Sequence, residues 1–307
     1  METLVKFYLK KEFYEVLSIS KAVVGLAFLE SDIDVSRNLI PEIQNITIQD
    51  ALCHHTGIEN NGDFDFFEFM DKVKQRNEDI DEYAKQVFLT LSKGEKNKDA
   101  FKYNNIVFRI LTGILERESN GYLNHWVGQH LSAEEANWGV SEDKERWGSD
   151  KKGIANGLNG LRLTVKGILN LLKTANQILQ TKKIEEMTIY PEIENGNHFR
   201  AFLPSAYKIY SFYNWCVIIY KNKIRGVYSI GYNNQFVCLD FINNRFGFQF
   251  RVPFWDEHVD HEAVNFVKEF FETNTILPFT ESQCFDKENK VTVKKIKQVG
   301  YLSDLKK

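Results

Sequence analysis

The sequence predicts an α/β (α+β) fold, an antiparallel sheet flanked by helices with a mostly helical inserted region. Three observations lead there. Apolar residues at helical spacing recur between residues 41 and 180, best developed in Ile106, Ile110, Leu111, Ile114 and Leu115. From Tyr207 onward, short β-rich runs alternate with Asn and Gly turns. A further helical stretch, from Asp256 through Val259, Val264, Phe266, Val267, Phe270 and Phe271, offers those strands an apolar face to pack against.

The elements follow in order. Val5 to Val16 reads as a strand or short strand pair, and Ser18 opens a small-residue, apolar stretch, Lys21 to Leu29, suited to a buried helix. Thr47 has the character of a helix cap, with Ile48, Ala51 and Leu52 inside the helix and Gly57 ending it. Helical periodicity recurs from Phe66 to Leu91 and from Asn105 to Glu118. Ser132 to Gly157 reads as loop, and Thr164 as the cap of a helix through Ile168, Leu171 and Leu172. Strands are expected at Ile209–Tyr213, Cys216–Tyr220, Gly226–Gly231, Gln235–Asp240 and Gly247–Val252. One domain over 1–307 is expected, its sheet drawn from 1–40 and 181–307 and its helical region from 41–180.

Composition narrows the function. Hydrophobic residues make up 43% and charged residues 26%, enough to bury a large core. A net charge of −3 argues against a nucleic-acid partner, which needs a basic face. No run of about 18 apolar residues predicts a membrane span. The first residues lack the charged and apolar regions of a signal peptide, so a cytoplasmic location is expected, or a secreted one if the chain is N-terminally truncated. The four cysteines form no C-x-x-C pair, and Cys216 and Cys238 read as buried thiols. The adjacent His54 and His55 cannot face one ligand position on a helix. His258 and His261 read as a solvated helix start. No metal or organic cofactor is expected.

Ser18 and Lys21 form a Ser-x-x-Lys pair. Three residues is almost one helical turn, so both side chains can face the same side. An amine desolvated by apolar neighbours has its charged form disfavoured and can accept a serine proton. The pattern occurs five times here: at Ser18, Ser141, Ser149, Ser205 and Ser303. Only Ser18 leads into a buried-type helix. Tyr103 and Asn105 form a Tyr-x-Asn pair, whose tyrosine could relay protons as phenol or phenolate.

The order of these segments carries a resemblance. Leu17-Ser18-Ile19-Ser20-Lys21-Ala22 resembles the nucleophile segment of class C β-lactamases, related esterases, D-alanyl-D-alanine peptidases and 6-aminohexanoate-dimer hydrolases. Ile46 to Ile58, with His54, Thr56 and Gly57, is similar to the segment that follows in this β-lactamase and penicillin-binding-protein superfamily. Phe101-Lys102-Tyr103-Asn104-Asn105 resembles its F-x-Y-S-N element, and Gly160 to Thr164 its G-G-L-x-x-T segment. The 85 positions from Ser18 to Tyr103 are close to the family's usual spacing. The resemblance implies a β-lactamase/transpeptidase-like fold and hydrolysis of a small-molecule or peptide ester or amide through an acyl-serine. Ser18 would be the nucleophile, and Lys21 and Tyr103 would move its proton. Asn105 would orient substrate or bond the lysine, while His54, Thr56 and Gly57 would be structural. Gly231, Tyr232 and Asn233 would line the substrate strand, with the Tyr232 N–H completing an oxyanion hole. Asn233 and Asn234 replace two glycines of the related G-x-G-G-Q pattern, which argues against a dedicated β-lactamase. The other readings are a non-catalytic relative that binds a peptide or cell-wall fragment, and an enzyme that transfers its acyl group to an amine.

Overall fold

The computed structural model describes residues 12–58, 80–92, 98–118, 122–138, 157–195, 197, 199–200, 203–231, 235–251, 261–285 and 291–306. Its first part runs β1 (Tyr14–Glu15), α1 (Ile19–Leu29), α2 (Ile48–Leu52), α3 (Ile80–Leu91), α4 (Ile106–Glu118) and α5 (Tyr122–Val127), the last continuing into a π-helical turn at Gly128–Ser132. Next come β2 (Ala136–Trp138), β3 (Leu161–Leu163), α6 (Val165–Leu179) and α7 (Ile184–Met187). The second part holds β4 (Lys208–Phe212), β5 (Trp215–Tyr220), β6 (Lys223–Gly231), β7 (Gln235–Asp240), β8 (Arg245–Arg251), α8 (His261–Glu272), β9 (Leu277–Phe285) and β10 (Val291–Tyr301).

The main sheet is antiparallel and seven-stranded, in the order β4-β5-β6-β7-β8-β10-β9. Successive side chains on a strand point to opposite faces, and both faces here are covered. Val217, Ile219, Val237 and Leu239 join the core that contains α1 and α6, whereas Cys216, Ile218, Phe236 and Cys238 join Phe266, Val267, Phe270 and Phe271 of α8. Cys53, Cys216 and Cys238 are buried free thiols. A helical layer therefore lies on each side of the sheet. The buried Asp240 fixes one end of α8. It pairs with Arg225 and Arg245, each at 3.0 Å, and those guanidiniums also donate to the carbonyls of Phe271 and Phe270 at the helix C-terminus. Cations at that end complement the helix dipole.

Tight turns connect the strands. Tyr213 and Asn214 have φ of 51° and 61°, and Lys221 and Asn222 have 48° and 57°. Paired positive φ values define the two-residue hairpin turns whose twist suits the strands. The turn at Tyr213 is pressed onto α1. A Cβ at Gly25 would lie 2.1 Å from the Tyr213 carbonyl oxygen, so only glycine permits this approach of helix and hairpin.

The structure departs from the sequence expectations at several points. Tyr14–Glu15 does not join the main sheet. It pairs with β3 in a separate sheet of order β1-β3-β2, and β2 is a strand within a stretch expected to be loop. Thr47 caps α2 with a full capping box, Asp50 N–H to Thr47 Oγ1 at 3.0 Å and Thr47 N–H to Asp50 Oδ2 at 2.7 Å. That helix ends at Leu52 rather than at Gly57, because His54 takes a φ of 58°. The helix expected from Asp256 begins at His261 among the described residues. β9 and β10 follow it, with β10 inserted beside β8. Phe66 to Asp79 lies outside the described residues, as does His258.

Candidate active site

The nucleophile segment starts from a strained turn. After β1 the backbone passes through Val16 and Leu17, and Leu17 has a φ of 47°, a left-handed value costly for a bulky side chain. Three contacts hold the turn. Val16 N–H donates to the Leu161 carbonyl at 3.0 Å, Leu161 N–H donates to Ser20 Oγ at 3.1 Å, and Ile19 N–H donates to the Val16 carbonyl at 3.0 Å. Ser18 follows as the N-cap of α1, half-buried. Its backbone N–H has no hydrogen-bond partner among the described residues. The first N–H groups of a helix have no partner within it and stay free for an acceptor.

Ser18, Lys21 and Tyr103 come together. Lys21 Nζ lies 3.0 Å from Ser18 Oγ and donates to the Leu158 carbonyl at 2.8 Å. The Tyr103 hydroxyl donates to Ser18 Oγ at 3.0 Å, and the Lys21 amine lies 5.3 Å from the centre of the Tyr103 ring. Lys21 is fully buried in the apolar α1, and among the described residues no carboxylate pairs with it. Burial holds its pKa well below the usual lysine value. Burial also raises the Tyr103 phenol far above its ordinary value, outweighing the bond to Ser18 that opposes it. The site thus holds a neutral-leaning amine, a protonated phenol and a hydroxyl that touches both.

Other residues fix this geometry. His54 Nδ1 accepts the Asn104 backbone N–H at 3.1 Å, so its proton is on Nε2, which donates to Asn214 Oδ1 at 2.8 Å. The ring packs on Tyr103 at 4.6 Å and on Phe108 at 5.1 Å between centroids. Burial presses its pKa down to about 3, so it stays neutral. Asn104 caps α4, with Oδ1 accepting from Ile106 N–H at 2.9 Å and Val107 N–H at 3.3 Å, while Nδ2 reaches the Ile58 carbonyl at 3.0 Å.

The remaining sequence-derived residues divide. Gly231 ends β6 against the nucleophile segment: a Cβ there would lie 2.8 Å from the Val16 carbonyl oxygen. Tyr232 and Asn233 lie outside the described residues. Asn105 gives its backbone carbonyl to Phe108 N–H, whereas the hydrogen bonds of Lys21 Nζ among the described residues run to Ser18 and Leu158. Sequence reasoning missed the Leu158 carbonyl, Asn104, Asn214 and Phe199, whose ring packs on Tyr103 at 4.9 Å. Asn214 stood in a legible turn, but nothing local ties it to His54, 160 positions away. His55 joins a different cluster, stacked on Tyr190 at 4.5 Å, and among the described residues no group of three or more His, Cys, Asp or Glu side chains is placed to hold a metal ion. Among those residues no helix is long and apolar enough to cross a membrane.

No protein-family profile matches the chain, and no curated protein matches it in sequence. Among solved structures it is similar to a penicillin binding protein from Bacillus halodurans, at 15% identity over 76% of this chain and 78% of that one, with a TM-score of 0.47. It is also similar to a D-stereospecific amidohydrolase from Streptomyces sp., at 12% identity over 78% of each chain and a TM-score of 0.47. A third likeness is to the D-amino acid amidase from Ochrobactrum anthropi SV3 complexed with D-phenylalanine, at 14% identity over 78% of this chain and 82% of that one, with a TM-score of 0.44.

Proposed function

We propose that the protein is a serine hydrolase of the β-lactamase and penicillin-binding-protein type, cleaving an ester or amide through an acyl-serine on Ser18. The observation that carries this reading is that Ser18 Oγ lies 3.0 Å from both Lys21 Nζ and the Tyr103 hydroxyl, with the lysine buried in apolar surroundings. A buried neutral amine in hydrogen-bond reach of a hydroxyl is a general base for that hydroxyl.

The steps follow from the donors and acceptors. Lys21 Nζ takes the Ser18 proton as Oγ bonds to the substrate carbonyl carbon. The carbonyl electron pair moves onto oxygen, where the Ser18 N–H, which has no partner among the described residues, can stabilise it at the start of α1. The Tyr232 N–H is the second donor in this reading, and the close approach of Gly231 to Val16 brings the end of β6 beside the nucleophile. As the bond to the leaving group breaks, the proton held on Lys21 returns through the Tyr103 hydroxyl to the departing alcohol or amine. Water then attacks the acyl-enzyme, giving its proton to the same relay, and the acid leaves with the Ser18 hydroxyl restored. The raised Tyr103 pKa favours the phenol over the phenolate as the relay.

The test is pre-steady-state hydrolysis of p-nitrophenyl acetate. A burst of p-nitrophenol stoichiometric with protein, absent in Ser18→Ala, is expected. Folded protein without burst or turnover would favour the non-catalytic, ligand-binding reading instead.

A further inference from the structure

We propose that the cavity between the loop after α1, the α7 segment and the β4–β5 turn is a second binding site, one that takes a small ligand with an apolar body and a carboxylate head. The cavity holds about 280 Å³, at the small end of ligand pockets, and none of Ser18, Lys21 and Tyr103 lines it. The inference therefore goes beyond the hydrolase reading and does not depend on it.

The walls are apolar and already in place. Phe28 and Phe212, both buried, supply apolar surface, and Ile189, 57% exposed, stands at the mouth. Hydrogen bonds fix the loop after α1. Ser31 N–H and the Ser31 hydroxyl donate to the Phe28 carbonyl at 3.2 and 3.0 Å, and Gln49 N–H donates to the Val35 carbonyl at 2.9 Å. The turn that carries Tyr213 is held as well, through its close approach to Gly25 and through Asn214 N–H, which donates to the Leu52 carbonyl at 2.9 Å. A pocket built this way takes a ligand without first ordering its loops.

The polar groups of the lining decide the head. The pair between Lys182 Nζ and Glu186 Oε2 is 3.9 Å long, beyond hydrogen-bond length. Glu186 is engaged elsewhere, since its Oε1 accepts the Lys183 N–H at 3.2 Å. Tyr213 is 5% exposed, and its hydroxyl makes no hydrogen bond among the described residues. Burial, with smaller pushes from Cys53 and Glu186, keeps that phenol protonated, so it is a donor. An ammonium and a phenol thus stand with unspent donors beside an apolar cavity. A carboxylate accepts from both, and an alkyl chain covers the apolar wall.

The test is a ¹H–¹⁵N NMR titration with sodium hexanoate, beside hexylammonium chloride as a probe with a similar chain and the opposite head. Hexanoate should give saturable shifts centred on the amides of Ile33, Lys182 and Tyr213, and hexylammonium should bind at least tenfold more weakly. Lys182→Met, which keeps an apolar stem, should weaken hexanoate by about tenfold, the worth of one hydrogen bond to a charged group. Glu186→Gln should tighten it, because the amide still accepts the Lys183 N–H while the competing charge is gone. Both side chains are partly exposed, so neither change threatens the fold. No saturable shift at these amides, equal binding of the two probes, or unchanged affinity in Lys182→Met would overturn the inference and leave the hydrolase reading standing.

Discussion

The imidazole of His54 hydrogen-bonds the Asn214 side chain at 2.8 Å, joining residues 160 positions apart in the chain. Through its other nitrogen the same ring holds the Asn104 N–H, next to Tyr103. One neutral histidine therefore links the β4–β5 turn, the end of α2 and the start of α4. The strand turn itself is locked onto α1 at Gly25, one turn after Lys21. The relative positions of Ser18, Lys21 and Tyr103 depend on this joint, which lies behind the site rather than in it.

This predicts how stability responds to acid. The His54 pKa is about 3 in the folded chain and ordinary, about 6.5, when unfolded. Between those values the unfolded chain binds more protons, so stability falls as pH drops from about 6.5 to about 3. His54→Gln should remove its share of that slope. It should also lower stability at pH 7 by about 1–3 kcal/mol, since it orphans a buried N–H or amide oxygen. Thermal melts of both proteins from pH 4 to pH 8 measure the two effects.

The proton relay predicts a rate profile. Lys21 must be neutral to act as base, so activity should rise with pH along an acid limb lying well below the ordinary lysine range. Tyr103 stays a phenol because burial raises its pKa, so it should give no alkaline limb up to pH 10. Tyr103→Phe should cut kcat/KM by about 10²–10⁴ while keeping the acid limb. A limb that vanished with the tyrosine would assign the titration to the wrong group.

In the proposed mechanism the oxyanion geometry depends on Gly231. A methyl group there would need to displace the Val16 carbonyl oxygen, 2.8 Å from the ideal Cβ position. That carbonyl belongs to the turn that presents Ser18. Gly231→Ala should therefore lower kcat by about 10²–10³, the cost of losing an oxyanion donor, with a much smaller change in KM. Steady-state kinetics separate these, and a loss confined to KM would argue for simple crowding of substrate.

The legible parts of this fold were those with local signals. Ser18 stood apart from four other Ser-x-x-Lys matches because an apolar helix follows it, and that apolar run is also what buries Lys21. Thr47 and Thr164 announced their helices as caps, with side chains that accept from Asp50 N–H and Gly167 N–H. The hairpin β9–β10 was not legible. Pro278 and Glu281 lie in the edge strand β9, a breaker and a charge that protect an edge, and Lys295 and Lys297 in its partner β10 further blur the alternation that marks a strand. The site's supports were hidden for a different reason. Leu158 meets Lys21, Asn214 meets His54 and Phe199 meets Tyr103 only in the folded chain, and no spacing in the sequence records such contacts.

Whether Ser18 is an activated nucleophile is read by intact-mass spectrometry after incubation with a fluorophosphonate. A single adduct is expected on the wild-type protein, absent in Ser18→Ala and strongly slowed in Lys21→Ala. No adduct on well-folded wild-type protein, or an adduct that persists in Ser18→Ala, would contradict it.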